Sequence, residues 1–212
     1  MNENNNGRGL FYGVIGVATL IVAIIGATFA YFSVNASITN NNGISGDTVN
    51  VSDTTITGTL TRVTQSTVSM VPLKTEELQK GINGEGGQQC IDKNGAKVCD
   101  IYTLTIKNTS SAPVSLAGKL TITATDMADL RWSLLESTTS AEGAIAKEVS
   151  NTEIVANELL AAETGEKTYH FVIWFNETDQ PQNEQAGKSY TGTVTFTAAN
   201  GGKITAQFSS GS

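Results

Sequence analysis

Two cysteines and one histidine are the residues whose chemistry could matter most in this chain. Cys90, Cys99 and His170 are its whole supply of thiol and imidazole groups. A zinc site built from such groups needs three or four ligands, and redox pairs have two residues between their cysteines rather than eight. No G-x-S-x-G or H-E-x-x-H motif occurs. We therefore predict no catalytic residue, no metal and no cofactor, and a chain that is not an enzyme.

The segment from Cys90 to Cys99 reads CIDKNGAKVC and has the pattern of a β-hairpin. Asn94-Gly95 is a preferred dipeptide for a two-residue type I′ turn, because both positions need a positive φ. A hairpin folded about that turn places Asp92 opposite Lys97, two side chains of opposite charge. The sequence therefore predicts a hairpin turn at Asn94 and Gly95 with this register.

The same register brings the two cysteines together. Cys90 and Cys99 fall opposite each other at a non-hydrogen-bonded position, where Cα atoms are about 4.5 Å apart. That separation suits a disulfide, and an exported domain meets an environment that permits one. We predict a structural disulfide, with free thiols, or a metal or redox pair, as the alternatives. The hairpin spans 88–101. The Gly-rich segment that leads into it, 81–89, predicts that the hairpin is a mobile excursion from the main domain.

Two further groups of polar residues have an ordinary interpretation and a functional one. His170 lies within an apolar strand pattern and is interpreted as a packed or solvent-facing residue, not a base. The loop 176–184 contains Glu177, Asp179 and Glu184, and calcium prefers such oxygen ligands. It lacks the D-x-[DN]-x-[DN]-G pattern, so we interpret it as a solvated loop with calcium binding as the alternative.

Composition favours an all-β protein. The 212 residues carry a net charge of -7, which gives no electrostatic basis for nucleic-acid binding. The chain contains 29 Thr, 21 Gly and 17 Asn, residue types typical of strands and turns. Six segments repeat an apolar residue at every second position, which predicts half-buried strands with polar residues, mostly Thr, on the outer face. They lie at 56–61, 102–106, 116–124, 130–134, 190–198 and 204–208.

These strands predict an antiparallel two-sheet sandwich over 49–212, jelly-roll-like, preceded by an N-terminal hydrophobic helix. The segment Tyr169 to Phe175 (YHFVIWF) is apolar on both faces. It should form a central strand covered on both sides, or one whose outer face meets a partner. The segment Glu153 to Glu163 fits either a helix or a loop with a short strand.

The N-terminus predicts export. Residues 1–9 resemble a cytoplasmic n-region, and 10–32 are an uncharged apolar run of about 34 Å as a helix, enough to cross a bilayer. Thr28 and Ala30 place small residues where a signal peptidase needs them, so that cleavage would leave Tyr31 first. The alternative is a retained membrane anchor. Residues 33–48 are polar and are interpreted as a linker or a donor strand.

The string GATFAYFS (Gly26 to Ser33) resembles the end of signal peptides handled by the SipW-type signal peptidase, which belong to the TasA/camelysin family of Gram-positive surface proteins. The segments VSDTTITGTL and IWFNETDQPQNEQAGKSYTGTVTFTA are also similar to that family, more diffusely. The resemblance implies a secreted or cell-surface protein of a biofilm matrix. The camelysin branch has been called a metalloprotease, but one His gives no pair to hold zinc here.

The resemblance favours a fibre or matrix subunit that self-associates into filaments by strand addition. The candidate donor strand alternates apolar residues at Phe32, Val34, Ala36 and Ile38, and an extended segment freed by cleavage could pair with a sheet edge of the next copy. The alternative is a membrane-anchored adhesin or binding module whose loops and cysteine hairpin recognise a surface glycan or protein.

Overall fold

The computed structural model describes residues 14–20, 48–53, 55–64, 70–124, 126–185 and 187–210. A helix, α1, occupies residues 14–20 within the unit formed by residues 1–36, and all the strands belong to the unit formed by 37–212. The helix predicted at the N-terminus is thus present. No helix within the described ranges has the length and apolar character that crossing a membrane requires.

Ten strands, one short α-helix and two 3-10 turns make up the described part of the larger unit. The strands are β1 (Thr48–Ser52), β2 (Ile56–Arg62), β3 (Cys99–Asn108), β4 (Val114–Ala124), β5 (Leu130–Leu135), β6 (Lys147–Glu148), β7 (Glu153–Leu160), β8 (Glu166–Phe175), β9 (Tyr190–Ala198) and β10 (Lys203–Ser209). Helix α2 (Leu78–Asn83) follows the 3-10 turn Thr75–Glu77, and the second 3-10 turn is Asn183–Gln185.

The strands form two antiparallel sheets with jelly-roll connectivity. Sheet 1 has the order β1-β2-β3-β8-β5-β6 and sheet 2 the order β10-β9-β4-β7. Strand β3 pairs with β8, β4 with β7 and β5 with β6, so the three pairs are nested around the β5–β6 connection. Successive pairs lie in alternate sheets, which is the jelly-roll arrangement. The predicted fold class is confirmed.

The inner core lies between the two sheets and follows the predicted period of two. Along β9, Tyr190, Val194 and Phe196 are buried, while Thr191 and Thr197 on the other face are exposed. The segment Glu153 to Glu163, which fitted either a helix or a loop with a short strand, contains strand β7. The same alternation along β2 and β4 confirms that every second residue of these strands points into the sandwich.

A second, outer core covers part of the opposite face of sheet 1. In β8, Phe171 and Ile173 belong to the inner core, whereas Val172 and Trp174 belong to the outer one. The prediction that this strand is covered on both sides is confirmed, and the cover comes from the chain itself. Its residues lie between Leu73 and Cys99, together with the outer faces of β3, β5 and β8.

Candidate functional site

The predicted disulfide is present. Cys90 and Cys99 are bonded, their Cα atoms are 4.9 Å apart, and neither residue is exposed to solvent. The separation lies within the usual range for disulfides. Because both sulfurs lie in the outer core, the bond closes a packed layer and is not a surface thiol pair.

The turn of this hairpin differs from the predicted type I′. Only Gly95 has a positive φ, 77°, and its N–H donates to the Asp92 carbonyl at 2.9 Å. Asp92 N–H in turn donates to the Ala96 carbonyl at 2.8 Å, which gives a three-residue loop with Gly in the left-handed position. The Asp92 carboxylate stabilises this loop, because it accepts the backbone N–H groups of Asn94 and Ala96 at 2.9 and 2.7 Å.

The longer loop shifts the register by one residue and corrects the predicted pairing. Ile91 lies opposite Lys97, so Asp92 does not face Lys97 as predicted. A shift of one residue turns each side chain to the other face, and Lys97 is accordingly only 1% exposed. Cys90 adopts a left-handed φ of 59° and its carbonyl accepts the Val98 N–H, so the disulfide still closes.

The hairpin packs against the sandwich and is not the excursion that its Gly-rich approach predicted. The strap Met70–Leu73 runs beside it, with Val71 N–H bonded to the Lys97 carbonyl and Leu73 N–H bonded to the Phe175 carbonyl, both at 2.8 Å. Cys90 N–H donates to Gly81 in α2 at 3.1 Å. We call this assembly of strap, α2 and hairpin, residues 70–99, the outer layer.

A buried ion cluster lies at one end of the inner core. It consists of Arg62, Lys97 and Asp100, none more than 3% exposed, together with the hydroxyls of Tyr102 and Tyr190. The Asp100 carboxylate accepts Lys97 Nζ at 2.8 Å and the Tyr190 hydroxyl at 2.7 Å. Arg62 Nη2 donates to the Tyr102 hydroxyl at 2.9 Å, and its Nε lies 4.0 Å from Asp100 Oδ1.

The cluster joins three strands to the outer layer. Arg62 comes from β2, Asp100 from β3 and Tyr190 from β9, whereas Lys97 comes from the hairpin. Lys97 Nζ also donates to the Ser210 carbonyl at 3.1 Å, just beyond β10. These contacts tie the hairpin to both sheets.

Burial controls the electrostatics of the cluster. Burial lowers the pKa of the Lys97 ammonium, against the opposing attraction of Asp100, and raises the pKa of Tyr190 well above its usual value. Among the described residues, none accepts a hydrogen bond from Arg62 Nε or Nη1. The Asp100 carboxylate, which accepts both Lys97 and Tyr190, is the ion-pair partner at the centre of the cluster.

The buried ion cluster was not among the predicted sites, although its strand residues carry a signal in the sequence. In β2, Arg62 occupies the next inward-facing position after Ile56, Gly58 and Leu60. In β3, Asp100 occupies the inward-facing position two residues before Tyr102. Charged residues in the inward phase of two neighbouring strands predict a buried ion pair.

The other polar candidates are dispersed. His170 lies on β8, where its Nδ1 is 2.9 Å from the Thr103 hydroxyl, and burial lowers its pKa. In the loop 176–184, Asp179 pairs with Lys74 at 2.6 Å. Among the residues that the structure describes, no group of three or more His, Cys, Asp or Glu side chains could hold a metal ion.

The N-terminal site residues lie outside the described residues. These are the predicted cleavage positions Thr28, Ala30 and Tyr31 and the candidate donor strand Phe32, Val34, Ala36 and Ile38. They stay predictions, as do the domain boundaries at residues 9, 32 and 48.

Comparison with known proteins gives only distant likenesses. No family model matches the chain, and no curated protein matches it at a significant level. A FixG-related protein from Vibrio parahaemolyticus is similar over 71% of this chain and 94% of its own, with 8% identity and a TM-score of 0.33. The putative ApaA protein from Bordetella pertussis is similar over 73% and 90%, with 14% identity and a TM-score of 0.28. Likenesses this low carry no argument about function, which must come from the chain's own residues.

Proposed function

We propose that this chain is a non-enzymatic, secreted or cell-surface β-sandwich protein that assembles into fibres or a biofilm matrix by strand addition. The observation that carries the proposal is the state of the sheet edges. Among the described strands, β1 pairs with β2 alone, over five residues in regular register. One edge of β1 therefore has no paired strand among the described residues, and in this proposal that edge accepts the added strand.

The opposite edges are less suited to strand addition. Strand β7 pairs irregularly with β4, with register shifts on both sides of Gly118. The Glu158 carboxylate of β7 accepts the Tyr169 hydroxyl at 3.4 Å and lies 3.4 Å from Lys167 Nζ. Both partners are on β8, so this charged side chain is directed toward the other sheet. Strand β6 is only two residues long. Bulges, inward charges and short edge strands are devices that prevent edge pairing, which leaves β1 and β10 as the two regular edges. In this proposal β1 is the acceptor.

The donor in this proposal is the segment that precedes β1. Phe32, Val34, Ala36 and Ile38 would face the acceptor's core, while the residues between them would face solvent. A donor from one copy that pairs with β1 of the next repeats head to tail, and such a contact forms an open filament.

Paired substitutions in the donor segment test this proposal. V34D/I38D charges the apolar face, whereas S33D/N35D adds the same charge to the other face. We expect electron microscopy to show fibres from residues 31–212 and from S33D/N35D, and none from V34D/I38D or from a form without residues 31–44. Fibres of equal abundance from all four proteins would refute strand addition by this segment.

Mass analysis of the N-terminus tests the export step separately. Cleavage after Ala30 leaves a surface protein that begins at Tyr31, which frees the donor segment. An intact N-terminus on the surface-exposed protein would instead favour the tethered binding module.

A further inference from the structure

A pocket in the outer layer has the size of a small-ligand site. Its volume is about 350 Å³, and it lies between α2, the strap and the cysteine hairpin. Pockets that bind small molecules begin at about this size. Its apolar lining includes Leu73, Ile91 and Val98, which offer an aliphatic surface.

The walls of this pocket are held in place. The disulfide fixes the hairpin at one side, and the bond from Cys90 N–H to the Gly81 carbonyl fixes the hairpin to α2. A Cβ on Gly81 would overlap the Leu73 side chain, so the helix and the strap are as close as they can be. A pocket with fixed walls loses little entropy when a ligand binds.

The rim of the pocket carries charges of both signs. Lys80 and Lys93 supply two cations and Glu77 and Glu85 supply two carboxylates, while the third carboxylate of the lining, Asp92, accepts the backbone N–H groups of its own loop. Within the described residues, the side chains of Lys80, Lys93, Glu77 and Glu85 lie in no ion pair. By contrast, Lys107 on the sandwich pairs with Glu166 at 2.7 Å. The rim therefore offers unpaired groups to a ligand with charges of both signs.

We propose that this pocket binds the carboxyl-terminal end of a short peptide. The free carboxylate of the peptide would pair with Lys80 or Lys93, and its ammonium or backbone N–H groups would donate to Glu77 or Glu85. An aliphatic side chain would lie on the apolar lining. A simple fatty acid fits less well, because it offers the two carboxylates of the rim no donor.

This proposal goes beyond the assembly function, because it needs neither the donor segment nor an open edge strand. The full chain in detergent is titrated calorimetrically with the dipeptide Ala-Leu and with its C-terminal amide. We expect saturable binding of Ala-Leu with a Kd of about 1 mM or tighter. We expect at least about tenfold weaker binding of the amide, because it lacks the carboxylate.

Lysine variants locate the site. K80A/K93A should bind Ala-Leu at least about tenfold more weakly, whereas K119A, which removes an exposed lysine from β4, should bind as the parent does. Near-ultraviolet circular dichroism and the disulfide mass check that each variant is folded. The proposal is overturned by the absence of saturable binding, by equal binding of the amide, or by equal binding of a folded K80A/K93A. None of these results bears on fibre formation, which the donor-segment variants test.

Discussion

The two faces of strand β8 belong to cores that are built in different ways. On one face, Phe171 and Ile173 pack among strands of both sheets, where backbone ladders hold most of the contributing residues in register. On the other face, Val172 and Trp174 are covered by the outer layer, whose regular structure is one six-residue helix. The outer layer has few ladder bonds and has a disulfide instead. Regular pairing organises the first core, and a covalent closure organises the second.

The buried ion cluster is the place where these two constructions meet. Its Arg62 and Asp100 project from strands of the sandwich, and its Lys97 is contributed by the outer layer. The comparison therefore predicts that damage to the cluster affects both cores, whereas damage to the disulfide or to a sandwich glycine affects one of them.

The largest effect is expected from D100A. Without the carboxylate, Arg62 and Lys97 would be two buried cations with no counter-charge, and breaking a buried ion pair costs about 3–5 kcal/mol of unfolding free energy. Urea denaturation measures the loss. The triple variant R62M/K97M/D100L removes every charge and should recover most of it, because apolar residues of similar volume replace such clusters without great loss. A D100A protein within about 1 kcal/mol of the parent would contradict this account.

A smaller and more local effect is expected from C90A/C99A. Opening a loop of ten residues should cost roughly 2.5–3 kcal/mol in the chain-entropy description. Native-state hydrogen exchange should accelerate in residues 70–99 while the amides of β4 and β9 keep their protection, because the inner core does not depend on the disulfide. Uniform acceleration across both cores would show that they unfold as one unit.

A third effect, restricted to the inner core, is expected from G192A. A methyl group at Gly192 would overlap the Phe208 ring, and overpacking of this kind costs about 1–3 kcal/mol. The neighbouring variant T191A changes an exposed residue of the same strand and should stay within about 0.5 kcal/mol of the parent. Hydrogen exchange in the outer layer should be unaltered in both. Equal stability of the two variants would mean that the Phe208 ring has room to move.

Sequence periodicity predicted the inner core well because a strand has only two faces. Once Val194 and Phe196 were assigned to the interior, Thr195 and Thr197 had to be outside. The disulfide could be predicted for the same reason, as a pairing within a short hairpin. The register failed there because Asn94-Gly95 fits both a two-residue and a three-residue loop, and the choice depends on the Asp92 carboxylate.

The pair of Arg62 and Asp100 could have been predicted from the period of two, but the third charge of the cluster, Lys97, and the outer layer could not. Lys97 is buried only because the loop has one residue more than expected, so no inspection of its neighbours alone would place it beside Asp100. The outer layer is an irregular segment, and contacts such as Leu73 against Gly81 depend on tertiary packing. Only the two-sided apolar pattern of β8 indicated that something must cover sheet 1.

The smallest effect concerns the margin of the outer core, at His170. It shares the outer face of β8 with Val172 and lies opposite Leu135, a residue of the outer core, on β5. Because burial lowers its pKa below 6.5, the unfolded chain binds a proton more readily, and unfolding free energy should fall as pH falls below about 6.5. Urea denaturation between about pH 7.5 and 5.5 measures this slope, which H170Q should flatten because glutamine does not titrate. An unchanged slope in H170Q would assign the pH dependence to other groups and would place His170 outside the influence of the outer core.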